Sequence, residues 1–153
     1  MATPSFLGDQ AIWKLHKTAF LCSRKVPAAQ VLKCYDWAIA MRDAGKCVML
    51  GAHSQLEKDV LHYLLKGEQP VVVVLARGMK KRLDEGLAPE VAKGRLLVVA
   101  PLELQATRVT EKTAALRNAF MLQHAQEVVV GHVDPNGSLA KSLAKLGVKA
   151  TTL

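Results

Sequence analysis

The run Val71-Val72-Val73-Val74-Leu75 limits the fold of this chain more than any other feature. Five β-favouring apolar residues with no polar alternation describe a strand buried on both faces, and such a strand needs helices above and below its sheet. The rest of the chain fits that demand. From residue 18 onward, strand-length apolar runs alternate with helical patterns, which marks repeated β-α units feeding a parallel sheet. Strands are expected at residues 18–22, 47–50, 71–75, 96–100 and 128–130, with 71–75 at the centre and a short edge strand within 148–153. A helix starts at Pro27 and places Val31, Cys34, Ala38 and Met41 on one face before Gly45 closes it. Ser54 caps a second helix with Leu56, Val60, Leu61, Leu64 and Leu65 inside, ended by Gly67. Short helical turns are expected at 80–82 and 88–93, a long helix at 110–126, and a last helix at 138–146 after the turn Asp134-Pro135-Asn136-Gly137. The expected fold class is α/β: a three-layer α/β/α sandwich with a mainly parallel sheet of five or six strands.

A chain of 153 residues buries a sufficient core without disulfide or metal staples, and residues 18–153 read as a single domain preceded by an N-terminal arm, 1–17. Ile12, Trp13 and Leu15 in that arm are available to pack on the core. The apolar runs are too short to span a bilayer, and the first residues, with acidic Asp9, do not read as a secretory signal; a cytoplasmic location is the expectation. Cys22, Cys34 and Cys47 are odd in number and spaced for neither zinc nor a disulfide framework, so they are expected to be reduced core thiols. No cofactor or metal is expected, because the five histidines suggest no ligand set. The net charge of +8 favours anionic partners, and the short apolar runs leave no membrane partner expected.

In a parallel sheet with crossover helices, every β-to-α loop meets one edge. That edge collects Ser23, Arg24 and Lys25 after the first strand, then His53 and Ser54 after the second. It also collects Arg77 and Gly78 after the third and Asn136, Gly137 and Ser138 after the fifth. Most are donors, and the loops at Ser54 and Ser138 run straight into helices, whose free N–H groups favour an anion. Glu57 and Asp59 read as a solvated charged helix face. No P-loop, nucleophile elbow or Gly-x-Gly-x-x-Gly pattern is present.

Several segments taken in order carry a family resemblance. Cys22-Ser23-Arg24 matches a first strand ending in Gly-Ser-Arg, and Leu75-Ala76-Arg77-Gly78 a later Gly-rich turn. Residues 96–101 match a strand closing in proline, Arg117-Asn118 an Arg-Asn pair within a helix, and Asn136-Gly137-Ser138-Leu139 a final Ser-Gly-Ser-Leu phosphate turn. Across residues 18–146 the chain resembles the Rossmann-like domain of the DprA/Smf DNA-processing proteins. More broadly it is similar to the SLOG superfamily, which joins them to LOG-type nucleotide phosphoribohydrolases.

The resemblance implies a Rossmann-like fold and adds Arg117 and Asn118 to the site, reaching the strand-end edge if their helix starts near Leu116. It implies a non-enzymatic domain that binds single-stranded DNA or another phosphate-rich nucleic acid. The alternative is a nucleotide or nucleotide-sugar sensor. Self-association through a sheet edge or adjoining helices is also implied. Two departures stand out. The family's Ser-Gly-Leu-Ala-x-Gly-Ile-Asp stretch is here replaced by Leu50-Gly51-Ala52-His53-Ser54-Gln55-Leu56-Glu57-Lys58-Asp59, and the phosphoribohydrolase Pro-Gly-Gly-x-Gly-Thr-x-x-Glu motif is reduced to Pro135-Asn136-Gly137-Ser138-Leu139-Ala140-Lys141. The missing glutamate makes phosphoribohydrolase chemistry the least expected reading.

Overall fold

The apolar runs form the interior of one sheet whose side chains alternate between two helical layers. The computed structural model describes residues 3–84, 86–102 and 107–153. Its strands are β1 (Ser5–Leu7), β2 (Lys17–Leu21), β3 (Cys47–Leu50), β4 (Val71–Val74), β5 (Leu96–Ala100), β6 (Glu127–Val130) and β7 (Thr151–Thr152). They lie in the order β1-β5-β4-β3-β2-β6-β7. All neighbours are parallel except β1, which pairs antiparallel with β5 through Ser5–Ala100, Phe6–Val99 and Leu7–Val98.

The sheet thus has seven strands, not five or six, because the N-terminal segment contributes one. Three residues with little β signal of their own become a strand only because the exposed edge of β5 supplies the hydrogen-bond template. The Val71–Val74 strand is interior but not central: β3 holds the middle, and Leu75 lies beyond the strand end. Both strands are buried throughout, so burial on two faces identified an inner strand without fixing which one.

Helices α1 (Ala28–Asp43), α2 (Gln55–Leu65) and α3 (Leu87–Ala92) connect β2, β3, β4 and β5 and cover one face, whose core includes Phe20, Cys34, Val48, Leu50, Val71, Val73, Leu96 and Val98. Helices α4 (Glu111–His124) and α5 (Ser138–Leu146) cover the other, over Leu21, Met49, Val72, Val74, Leu97, Val99 and Met121. Odd and even residues of each strand therefore feed different cores, as the pleat requires. Each fully buried valine or leucine contributes roughly 1.5–3 kcal/mol relative to exposure, so the four-valine strand alone is a large share of the driving force. Residues 80–82 are irregular, with bends at Lys81 and Arg82, not the expected helical turn. Lys80 instead folds back onto Asp84 at 3.0 Å.

In the N-terminal segment, a 3-10 turn (Gln10–Lys14) buries Ile12 and sets Trp13 against Phe6, Phe120 and His124, while Leu15 points outward. Lys17 is almost wholly buried at the head of β2. Its ammonium donates to the Trp13 carbonyl at 2.6 Å and the Leu15 carbonyl at 3.0 Å and lies 4.7 Å from the Trp13 ring centre. Burial lowers its pKa and, with Lys17 nearby, that of His124 as well.

The end of α2 is held by Arg95, the residue just before β5. Arg95 donates to the carbonyls of Leu65 at 2.7 Å, Leu64 at 3.0 Å and Gln69 at 3.1 Å, and it pairs with Glu90 at 3.1 Å. Arg95→Ala removes charged donors from buried carbonyls and is expected to cost about 3 kcal/mol, roughly 6–12 °C in Tm for a chain of this size, measurable by thermal unfolding. An unchanged Tm would mean that solvent replaces the guanidinium at no cost.

Burial opposes ionisation of Glu90, but the hydrogen bonds from Arg95 and Lys93 outweigh it and hold its carboxyl below the ordinary glutamate range. The resulting stabilisation is complete above the unfolded-state pKa and is lost as pH falls through the lower folded-state value. The Tm advantage of the wild type over Glu90→Gln is therefore expected to be full at neutral pH and to shrink below about pH 4.

Candidate functional site

The sheet winds from β2 through β3 and β4 to β5 on one side, then returns to place β6 on the other side of β2. A crevice opens outside the strand ends at such a reversal, because the two loops leave toward opposite helical layers. Here Ser23 bridges it. Its N–H donates to the His132 carbonyl at 2.9 Å, and its hydroxyl oxygen accepts the Asp134 N–H at 2.8 Å. The hydroxyl proton is left to donate elsewhere.

The loop backbone is thus pinned while its cations project. Arg24 and Lys25 are exposed, and Arg24 has Glu111 at 3.7 Å, a pair in which both side chains are more than three-quarters exposed and therefore worth little. A shallow cleft of about 380 Å³ runs beside them, lined by Lys25, Val26, Pro27, His132, Asp134 and Pro135.

The four longer helices differ at their starts. Both α2 and α4 are closed by capping boxes: Ser54 exchanges hydrogen bonds with Glu57 at 3.0 and 3.2 Å, and Thr110 does so with Thr113 at 2.8 and 3.1 Å. Neither α1 nor α5 has a side-chain cap. Those two begin at the crevice, α1 directly after Lys25-Val26-Pro27 and α5 at Ser138 behind Gly137. Asp134 holds the preceding turn by accepting from the Asn136 N–H at 3.0 Å and, through its carbonyl, from the Gly137 N–H at 3.0 Å. The helix starts free to meet an anion are therefore those beside Ser23–Lys25 and Asn136–Ser138. At Ser54 the Glu57 carboxylate already fills that place.

The expected residues do not form one site. His53 and Arg77 border a second cleft of about 270 Å³ over the ends of β4 and β5, with an apolar wall that includes Val73, Leu75, Leu87 and Val98. Arg108, Arg117 and the Lys80–Asp84 pair also line it. Gly78 is buried beneath it, its carbonyl accepting from Arg77 Nε at 3.2 Å.

Arg117 reaches this edge although α4 starts at Glu111, not near Leu116: the length of the side chain, not a later helix start, makes the reach. It is 7% exposed, donates to Asn118 Oδ1 at 3.2 and 3.3 Å, and lies 3.7 Å from the Glu57 carboxylate. Gly51 makes room for both. A Cβ there would collide with Arg117 Nη1 and Glu57 Oε2 and lie 2.8 Å from Arg117 Cζ.

Glu57 is accordingly buried and paired, which corrects the expectation of a solvated face. Asp59 is half-buried and accepts from Tyr35 at 2.5 Å and Gln55 at 2.8 Å. The Tyr35 phenol, hydrogen-bonded to that carboxylate, has its pKa pushed up to about 12. The signal for Glu57 was in the chain, since Ser54-x-x-Glu57 is a capping-box pattern. That for Gly51 was not, because the space it leaves is created by α4.

Solved structures place this architecture. DNA processing protein A from Helicobacter pylori, described for its single-stranded DNA binding mode, superposes with a TM-score of 0.76 at 13% identity over 97% of this chain and 70% of that one. DprA from Streptococcus pneumoniae gives 0.75 at 11% identity over 97% of this chain, which spans 54% of its length. The fold is DprA-like. A molybdenum cofactor binding protein from Rippkaea orientalis shares it less closely, at a TM-score of 0.62 and 8% identity over 91% of this chain and 76% of that one. No family model and no curated protein matches the sequence. Among the described residues of this DprA-like chain, no helix is long and apolar enough to cross a membrane, and no three His, Cys, Asp or Glu side chains cluster to hold a metal ion.

Proposed function

We propose that this chain binds single-stranded DNA, or another phosphate-rich nucleic acid strand, along the crevice between the ends of β2 and β6. The observation that carries this reading is the pinned Ser23–Lys25 loop with two exposed cations between two helix starts that lack side-chain caps. Arg24 and Lys25 neutralise phosphates. Ser23, Asn136, Gly137 and Ser138 position the backbone by hydrogen bonds and close approach. The H. pylori neighbour, described for binding single-stranded DNA, supports the same assignment for its fold.

Among the described residues, none lining either cleft is phenylalanine, tyrosine or tryptophan. Base stacking then contributes little, and binding is led by phosphate, tolerant of sequence and sensitive to salt. Titration of a fluorescent oligonucleotide by anisotropy at rising salt tests this. Salt-independent binding, or none at low salt, would sink it.

A second reading rests on the deeper cleft, where an apolar wall meets His53, Arg77 and Arg117, as a mononucleotide or nucleotide sugar would require. Thermal shift against mononucleotides separates the two, since a compact ligand stabilises the fold by mass action. Catalysis is not part of either reading. Glu57 is held by Ser54 and Arg117, and Asp59 by Tyr35 and Gln55, so neither carboxylate is presented to a substrate as a base-releasing glycosidase would need. Pairing of two copies through the β7 edge or adjoining helices belongs to the same proposal and is tested by light scattering.

A further inference from the structure

Cys22 and Cys34 meet directly beneath the Ser23–Lys25 loop. Cys22 follows the last residue of β2 and is half-buried; Cys34 lies on α1 and is fully buried. The two sulfurs share the space left by Gly131, where a Cβ would sit 2.5 Å from Cys34 Sγ and 3.1 Å from Cys22 Sγ. Gly131 is fixed there by its N–H bond to the Leu21 carbonyl at 2.9 Å, and the Phe20 ring closes the pocket at 3.3 Å from the same point. Both sulfurs belong to the core under α1 and α2, whereas Cys47 is buried in the opposite core and cannot reach them.

We propose that Cys22 and Cys34 are a reversible dithiol couple, oxidised by hydrogen peroxide to a disulfide that closes the segment carrying Ser23, Arg24 and Lys25 into a covalent ring. Peroxide is the suitable oxidant because it is small enough to reach a buried sulfur that a bulky disulfide reagent cannot.

The chemistry starts at Cys34. A hydrogen bond from the Cys22 thiol lowers the Cys34 pKa against the opposing effect of burial, and the same bond, with burial, raises that of Cys22. The Cys34 thiolate attacks one peroxide oxygen; the S–O bond forms, the O–O bond breaks and hydroxide leaves as water after taking a proton. The Cys22 sulfur then attacks the Cys34 sulfenic acid. The S–S bond forms, the S–O bond breaks, and the Cys22 proton leaves with the second water. Two thiols lose two electrons and two protons, and one peroxide becomes two waters. Both sulfurs lie within about 3 Å of one point above the Gly131 Cα, and the absence of a side chain there leaves them room to close to a disulfide's length of about 2.05 Å.

The full chain is treated with hydrogen peroxide, its free thiols are counted in denaturant, and peptides are mapped without reductant. Two of the three thiols are expected to disappear together, with a product about 2 Da lighter, a peptide linking Cys22 to Cys34, Cys47 still free and full recovery with dithiothreitol. Cys47→Ala is expected to form the same link. Cys22→Ser is expected to stop at oxygen adducts on Cys34; should that variant fail to fold, the Cys47→Ala map decides. Three free thiols after oxidation, a link involving Cys47, or a link only between two chains would overturn the proposal.

Discussion

Arg117→Leu is expected to cost about 3 kcal/mol of stability, seen as a fall in Tm of roughly 6–12 °C. Leucine approximates the buried volume but leaves the Glu57 carboxylate, itself only 9% exposed, with the Ser54 N–H and no counter-charge. Removing one partner of a buried pair costs far more than the pair contributes. The decisive control is the double variant Glu57→Gln with Arg117→Leu. Glutamine keeps the capping box and removes the stranded charge, so most of the loss should return. Strictly additive losses, or less than about 1 kcal/mol from Arg117→Leu alone, would show that water already solvates the pair. Gly51→Ala approaches the same pair from the sheet and is expected to destabilise by less, about 1 kcal/mol, since its methyl group displaces only the ends of the Arg117 and Glu57 side chains.

Charge reversal of the loop, Arg24→Glu with Lys25→Glu, is expected to reduce single-stranded DNA affinity at least about tenfold at low salt while leaving Tm unchanged, because both side chains are exposed. With Arg24 and Lys25 each neutralising one phosphate, the wild-type log–log salt slope is about −1.4. Affinity then falls about sevenfold between 50 and 200 mM salt. The double reversal should remove most of that slope. Arg77 lines the other cleft, so Arg77→Glu divides the readings: a variant that loses oligonucleotide binding as severely as the loop reversal would merge the two clefts into one strand path. One that loses only mononucleotide stabilisation would assign the deeper cleft to the smaller ligand.

The position of the candidate residues was legible because parallel topology sends every β-to-α loop to one edge, whatever the strand order. Ser23, Arg24, Lys25, His53, Arg77 and the Asn136–Ser138 turn all lie there. Their division into two clefts was not legible, since it depends on where the winding reverses and on which helix crosses behind the strand ends. Ser54 illustrates the limit. As a helix cap it was readable, but the same capping box places Glu57 where an anion was expected, and only the packing of α4 reveals that Arg117 answers that carboxylate. Asp59 likewise finds Tyr35, 24 residues away, through the contact of α2 with α1.

Taken alone, the sequence determined the β-α alternation, the doubly buried inner strands, the caps and turns, and the chemical character of the strand-end edge. These are local properties, set by side-chain periodicity and backbone preference within a few residues. Tertiary structure alone decided the antiparallel β1, the central place of β3, the burial of Glu57 with Arg117 over Gly51, and the meeting of Cys22 with Cys34 under Gly131. Each depends on atoms far apart in the chain sharing one small volume, and no local pattern encodes which distant residue will fill it.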